Sequence, residues 1–153
     1  MAQEIQGILQ QAIKVEEASY ALYTSASKRV KDPAARAGLA DLAEQEKQHK
    51  AKLEGLLAGN LDWAVRLSKR EAVRDLRIGE YLEARPLTEG SDLQDVLIVA
   101  MKREEATAAF YQQMANLVDP GPVKDLFALL AKEEVKHKEY VERIYEEVVY
   151  RDF

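Results

Sequence analysis

Four stretches of this chain place apolar residues at alternating steps of three and four, the spacing of a helix that buries one stripe. The first stripe reads Ile5, Leu9, Ala12, Glu16, Ser19, Tyr23, Ala26 and Val30, and the second Leu39, Leu42, Glu46, His49, Leu53 and Leu56. The third reads Leu93, Leu97, Ala100, Glu104, Thr107, Tyr111, Met114 and Val118. The fourth reads Phe127, Leu130, Glu134, His137, Val141, Ile144 and Val148. Helices this long with one buried stripe each have few ways to hide it, and the economical one is an all-α four-helix bundle.

Punctuation sets the boundaries. Asp32-Pro33 pairs an N-cap with a proline at the first helical position. Ser91-Asp92-Leu93-Gln94 reads as a capping box, while Gly59-Asn60 and Asp119-Pro120-Gly121-Pro122 are stops. Helices are therefore expected over about 3–31, 33–58, 91–118 and 122–149. The connection over about 59–90 holds Trp63, Val65, Leu67, Leu76, Ile78 and Tyr81, too apolar for a loose linker. A short helix within 62–79 is expected there, packed on the bundle's flank with Trp63 as an anchor; a lid or dimerisation arm is the alternative.

An offset of 88 residues carries Glu16 onto Glu104, Tyr23 onto Tyr111, Glu46 onto Glu134, His49 onto His137 and Lys50 onto Lys138. One antiparallel helical hairpin has been duplicated, and the long connection between the second and third helices suits a crossover that leaves those two parallel. The 153 residues suffice for one domain, expected to span 1–153.

Composition removes several functions. With no cysteine, there are no disulfides, thiolate metal sites or thiol nucleophiles. A net charge of −5 and the lack of a basic stripe argue against nucleic acid. No apolar run is long enough to span a bilayer and no secretory leader is visible, so a cytoplasmic location is expected.

The stripes contain what a core should not. Glu16, Glu46, Glu104 and Glu134 replace apolar side chains in mid-helix, and His49 and His137 follow two of them by three residues, on the same helix face. Burying unpaired carboxylates costs several kcal/mol each, and no Lys or Arg occupies the stripes to neutralise them. Two divalent cations would, and oxygen plus imidazole donors suit iron or manganese, with zinc a possible substitute. Glu46 and Glu134 are the expected bridges, Glu16 and Glu104 are expected as terminal or bridging ligands, and one histidine is expected on each metal. Small Ser19 and Thr107 leave room beside the metals. Tyr23 and Tyr111, each seven residues after a candidate ligand, are expected to bond ligand carboxylates and orient them. Off the stripe, Glu17, Glu105 and Glu133 are expected to be solvated or to support the ligands.

Glu16-x6-Tyr23, Glu46-x2-His49, Glu104-x6-Tyr111 and Glu134-x2-His137 resemble the ferritin-like di-iron carboxylate superfamily, and Leu42-Ala-Glu-Gln-Glu-Lys-Gln-His49 its rubrerythrin-type branch. That resemblance implies a ferritin-like bundle holding two iron ions on the six named ligands. It further implies redox chemistry with hydrogen peroxide or dioxygen and an external electron donor. The reacting centre would be the metal pair itself. The sequence departs from the branch in having Thr107 where a further glutamate is usual, and in lacking the cysteines of a rubredoxin-type iron site. A homodimer or higher homo-oligomer is expected. Ferroxidase, iron storage or buffering is the alternative reading, and a metal-free helical adaptor the second.

Overall fold

The computed structural model describes residues 2–59 and 92–151. They form four helices, α1 (Ala2–Arg29), α2 (Pro33–Ala58), α3 (Leu93–Leu117) and α4 (Pro122–Arg151), packed as an all-α four-helix bundle. None of these helices is long and apolar enough to cross a membrane. Beyond Gly59, the expected crossover over 59–90, with Trp63 and its short helix, lies outside the described residues.

Local chemistry sets the turns. Asp32 stands in extended geometry before α2 and its carboxylate accepts from the Ala35 N–H at 3.0 Å, with Pro33 opening the helix. The same turn is cross-tied: the Ser27 hydroxyl donates to the Arg36 carbonyl at 2.8 Å, and Arg36 Nε to the Ser27 carbonyl at 3.2 Å. That geometry ends α1 at Arg29, two residues before the expected Lys31. At the other hairpin, Lys124 Nζ reaches back to the Ala115 carbonyl at 2.6 Å and the Val118 carbonyl at 3.4 Å, satisfying acceptors that the end of α3 leaves open. The α3 start differs from the expected capping box. Asp92 is the N-cap and makes no side-chain cap bond; Gln94 instead donates to the Tyr145 hydroxyl at 3.0 Å. Ser91 lies outside the described residues.

The stripes all turn inward. Of their members only Leu56, Leu93 and Val148 are less than fully buried. The apolar core falls into two clusters. One joins Ile5 and Leu9 of α1, Leu53 of α2, Met114 of α3 and Phe127 of α4. The other joins Ala26 of α1, Leu39 of α2, Leu97 of α3 and Ile144 of α4. Following each helix from cluster to cluster gives its direction: α2 and α3 run the same way, and α1 and α4 the opposite way. The parallel pair is what the long connection requires. Between the two clusters lies a layer of polar side chains.

Candidate metal centre

That layer comprises Glu16, Glu46, His49, Glu104, Glu134 and His137, each no more than 2% exposed. The four carboxylates come one from each helix, and the histidines from α2 and α4 stack with ring centroids 5.6 Å apart and planes 9° from parallel. The structure brings all six expected residues together. Donor atoms of Glu16, Glu46, His49 and Glu134 lie within 4.8 Å of one another, and so do those of Glu46, Glu104, Glu134 and His137. Glu46 and Glu134 belong to both groups.

The duplication is visible in the bonding. Tyr23 on α1 donates to Glu104 Oε1 on α3 at 2.7 Å, and Tyr111 on α3 donates to Glu16 Oε1 on α1 at 2.5 Å. The hydroxyls thus bond the candidate ligands as expected, but each serves the opposite hairpin. Replacing Tyr111 by phenylalanine leaves Glu16 Oε1 without that donor. The expected loss is about 1–3 kcal/mol of stability in the metal-free protein, read by urea unfolding. On the outside, Lys50 pairs with Glu17 at 3.0 Å and Lys138 with Glu105 at 3.8 Å, so those two glutamates are surface partners.

Glu133 does more: its Oε2 lies 2.5 Å from His49 Nε2. The matching nitrogen of His137 meets Gln45 Oε1 at 2.7 Å. Gln45 was not legible as a site residue from its own surroundings in the sequence. The signal lay in the 88-residue offset, which superposes Gln45 on Glu133. Thr107 is buried, and its hydroxyl donates to the Arg103 carbonyl of its own helix at 2.5 Å. An open cleft between α2 and α4, lined by Gly38, Asp41, Gln45, His137, Tyr140 and Arg143, leads to this end of the layer. Gly38 permits the close approach there, since a Cβ would fall 1.6 Å from the Tyr140 hydroxyl.

Electrostatics shows how poorly the layer suits its own side chains alone. Burial, then the charges of neighbouring carboxylates, push Glu46 and Glu134 well above the usual carboxylate range. Burial also raises Glu104, against the proximity of Glu134 and the hydrogen bond from Tyr23. Burial pushes Glu16 up too, but the proximity of Glu46 and His49 and the hydrogen bond from Tyr111 outweigh it and hold this carboxyl low. His49 is raised because Glu16 and Glu133 overcome its burial, whereas burial and the facing His49 lower His137 to about 4. Glu46 Oε1 lies 2.6 Å from His137 Nδ1.

Even so, Glu16 Oε2, Glu46 Oε2, His49 Nδ1, Glu104 Oε2 and Glu134 Oε1 are buried without a hydrogen-bond partner. His49 Nδ1 and Glu134 Oε1 are 2.7 Å apart, yet poorly aligned for a bond. Native folds seldom strand this many polar atoms in one place. Their lone pairs converge, and a hard-to-borderline cation is the partner that such oxygen and imidazole donors fit.

The sequence profile of the family described as Rubrerythrin matches residues 2–90, more than half of the chain. The chain belongs to the rubrerythrin family. No curated protein and no solved structure matches it. The rubrerythrin match takes in α1 and α2 with Glu16, Glu46 and His49; the duplicated hairpin supplies Glu104, Glu134 and His137. A rubrerythrin-family chain with a buried layer of four carboxylates and two imidazoles fits a di-iron carboxylate protein.

Proposed function

We propose that this protein is a two-iron oxidoreductase that reduces hydrogen peroxide, with dioxygen as the alternative oxidant. The observation that carries the reading is the pair of overlapping ligand groups sharing Glu46 and Glu134. Charge supports the count: four carboxylates balance two divalent cations, whereas one cation leaves a buried excess of negative charge. Glu46 and Glu134 would bridge, Glu16 and His49 would complete one position, and Glu104 and His137 the other. Two ferrous ions held there would supply the two electrons that, with two protons, convert hydrogen peroxide to two waters, and an external reductant would restore them.

The chain's own residues do the rest. Tyr23 and Tyr111 hold Glu104 and Glu16 by one oxygen each, which leaves Oε2 of both directed into the layer. The apolar clusters on either side exclude water, so the electrostatic fit inside is not screened. Thr107, one turn along α3 from Glu104, is small and keeps its hydroxyl on the Arg103 carbonyl. The cleft at Gly38 and Tyr140 is the approach for a small oxidant.

Anaerobic loading with ferrous iron followed by hydrogen peroxide in a stopped-flow spectrometer tests the reading. The expected result is a ferric charge-transfer band and one peroxide consumed per pair of irons. Bound iron that leaves peroxide untouched but reacts with dioxygen would replace the peroxidase reading with a ferroxidase one. Light scattering together with a metal count separates storage, which needs a large hollow assembly with many irons per chain.

A further inference from the structure

The duplicated halves of the site are not equivalent around the two histidines. Residue 45 is glutamine where its counterpart 133 is glutamate, and residue 103 is arginine where its counterpart 15 is valine. Asp41, which bonds Gln45, has Leu129 as its counterpart, while Tyr23 and Tyr111, Glu17 and Glu105, and Lys50 and Lys138 stand in matching places.

The orientation of Gln45 can be assigned from its partners. Its Nε2 donates to Asp41 Oδ2 at 2.7 Å, and a carboxylate accepts only. The amide oxygen therefore faces His137 Nε2 and must accept from it. That fixes a proton on Nε2 of His137 and turns the bare Nδ1 toward the layer. His49 is fixed the same way, but by a carboxylate: its Nε2 donates to Glu133.

A carboxylate behind an imidazole makes the inner nitrogen a stronger electron donor than a neutral amide does, and it brings a negative charge close to any cation held there. Asp41 stands one hydrogen bond further from His137 and is exposed, so water screens it.

We propose that the two cation positions are unequal, and that the one formed by Glu16, Glu46, His49 and Glu134 fills first, with Glu133 and Gln45 as the positioning residues that set the order. This rests on the metal-binding reading of the site. The affinities are expected to differ by about 10–100-fold, the usual effect of an outer hydrogen-bond partner on a metal ligand.

Calorimetric titration of the metal-free protein with Zn²⁺ tests the order. The wild-type chain should show two resolved binding steps. His49→Leu should remove the tighter and His137→Leu the weaker. E133Q should weaken the tighter step about 10–100-fold, so that the two merge. Q45E should merge them from the other side by strengthening the weaker step, and it keeps the test open should E133Q fail to fold. Helical circular dichroism and melting of the metal-free variants establish that the folds are intact.

Two equal steps in the wild type would overturn the inference, as would E133Q and Q45E variants that shift both steps alike. Either outcome leaves metal binding itself standing. A wild-type protein that binds no Zn²⁺ would instead defeat the metal reading, and the inference with it.

Discussion

Replacing Glu134 by glutamine is expected to weaken metal binding at both positions, whereas replacing His49 by leucine should weaken one. The contrast follows from geometry, because Glu134 belongs to both ligand groups and His49 to a single one. Glutamine keeps the shape but loses the charge and one acceptor oxygen. Removing a direct ligand should cost at least the ~10–100-fold that loss of an outer partner costs. The effect on the metal-free fold should have the opposite sign. Burial and the charges of Glu104 and Glu16 hold Glu134 well above its ordinary range, so a neutral amide suits that place better than a carboxylate. Metal titration and urea unfolding on the same variant check both halves. A Glu134→Gln protein that loses stability without metal, and binds metal as before, would make this residue structural.

Metal should also reverse how stability depends on pH. In the folded chain Glu46 and Glu134 are raised well above 4.5, Glu104 is raised above 4.5, and His49 is raised above 6.5. Each binds its proton more tightly folded than unfolded, so its contribution is present below the unfolded value and lost as pH climbs through the folded one. Two groups oppose this, but only in acid. Glu16 is held below 4.5, and His137, lowered to about 4, adds stability as pH rises toward 6.5 and nothing further above it. Above pH 6.5 the metal-free protein should therefore become steadily less stable.

Bound cations need deprotonated ligands, so their stabilisation grows over the same interval. Free metal at a thousand times the dissociation constant is worth about 4 kcal/mol. For a chain of this length each kcal/mol moves the melting temperature by about 2–4 °C, which makes a rise of roughly 8–16 °C. Scanning calorimetry of chelator-treated and metal-loaded protein across this range reads both slopes. A metal-free protein whose melting temperature rises with pH above 6.5 would contradict the electrostatics described for the layer.

Much of this site is legible in the sequence, for a specific reason. Helical periodicity tells which positions face inward, and Glu16, Glu46, His49, Glu104, Glu134 and His137 stood out because they occupy positions where apolar residues belong. The same logic placed Tyr23 and Tyr111 next to carboxylates. What spacing along one helix cannot give is the partner across the bundle. Tyr23 serves Glu104 and Tyr111 serves Glu16, a crossing that depends on how α1 and α3 pack. Gln45 and Asp41 lie off the buried stripe, and their spacing matches ordinary solvent-facing helix positions. They acquire a role only because α4 carries His137 up to them. The start of α3 shows the limit of local motifs: Gln94 suits a capping box, yet Tyr145 of another helix takes its amide.

The central claim is that one buried layer holds two irons, and counting them tests it most directly. Metal-free protein equilibrated anaerobically with ferrous iron, then freed of unbound metal, should retain two irons per chain. Their Mössbauer and magnetic spectra should show coupling between them, and Glu134→Gln should diminish both together. A chain that retains no iron, or retains it undiminished after His49 and His137 are both replaced by leucine, would contradict the account.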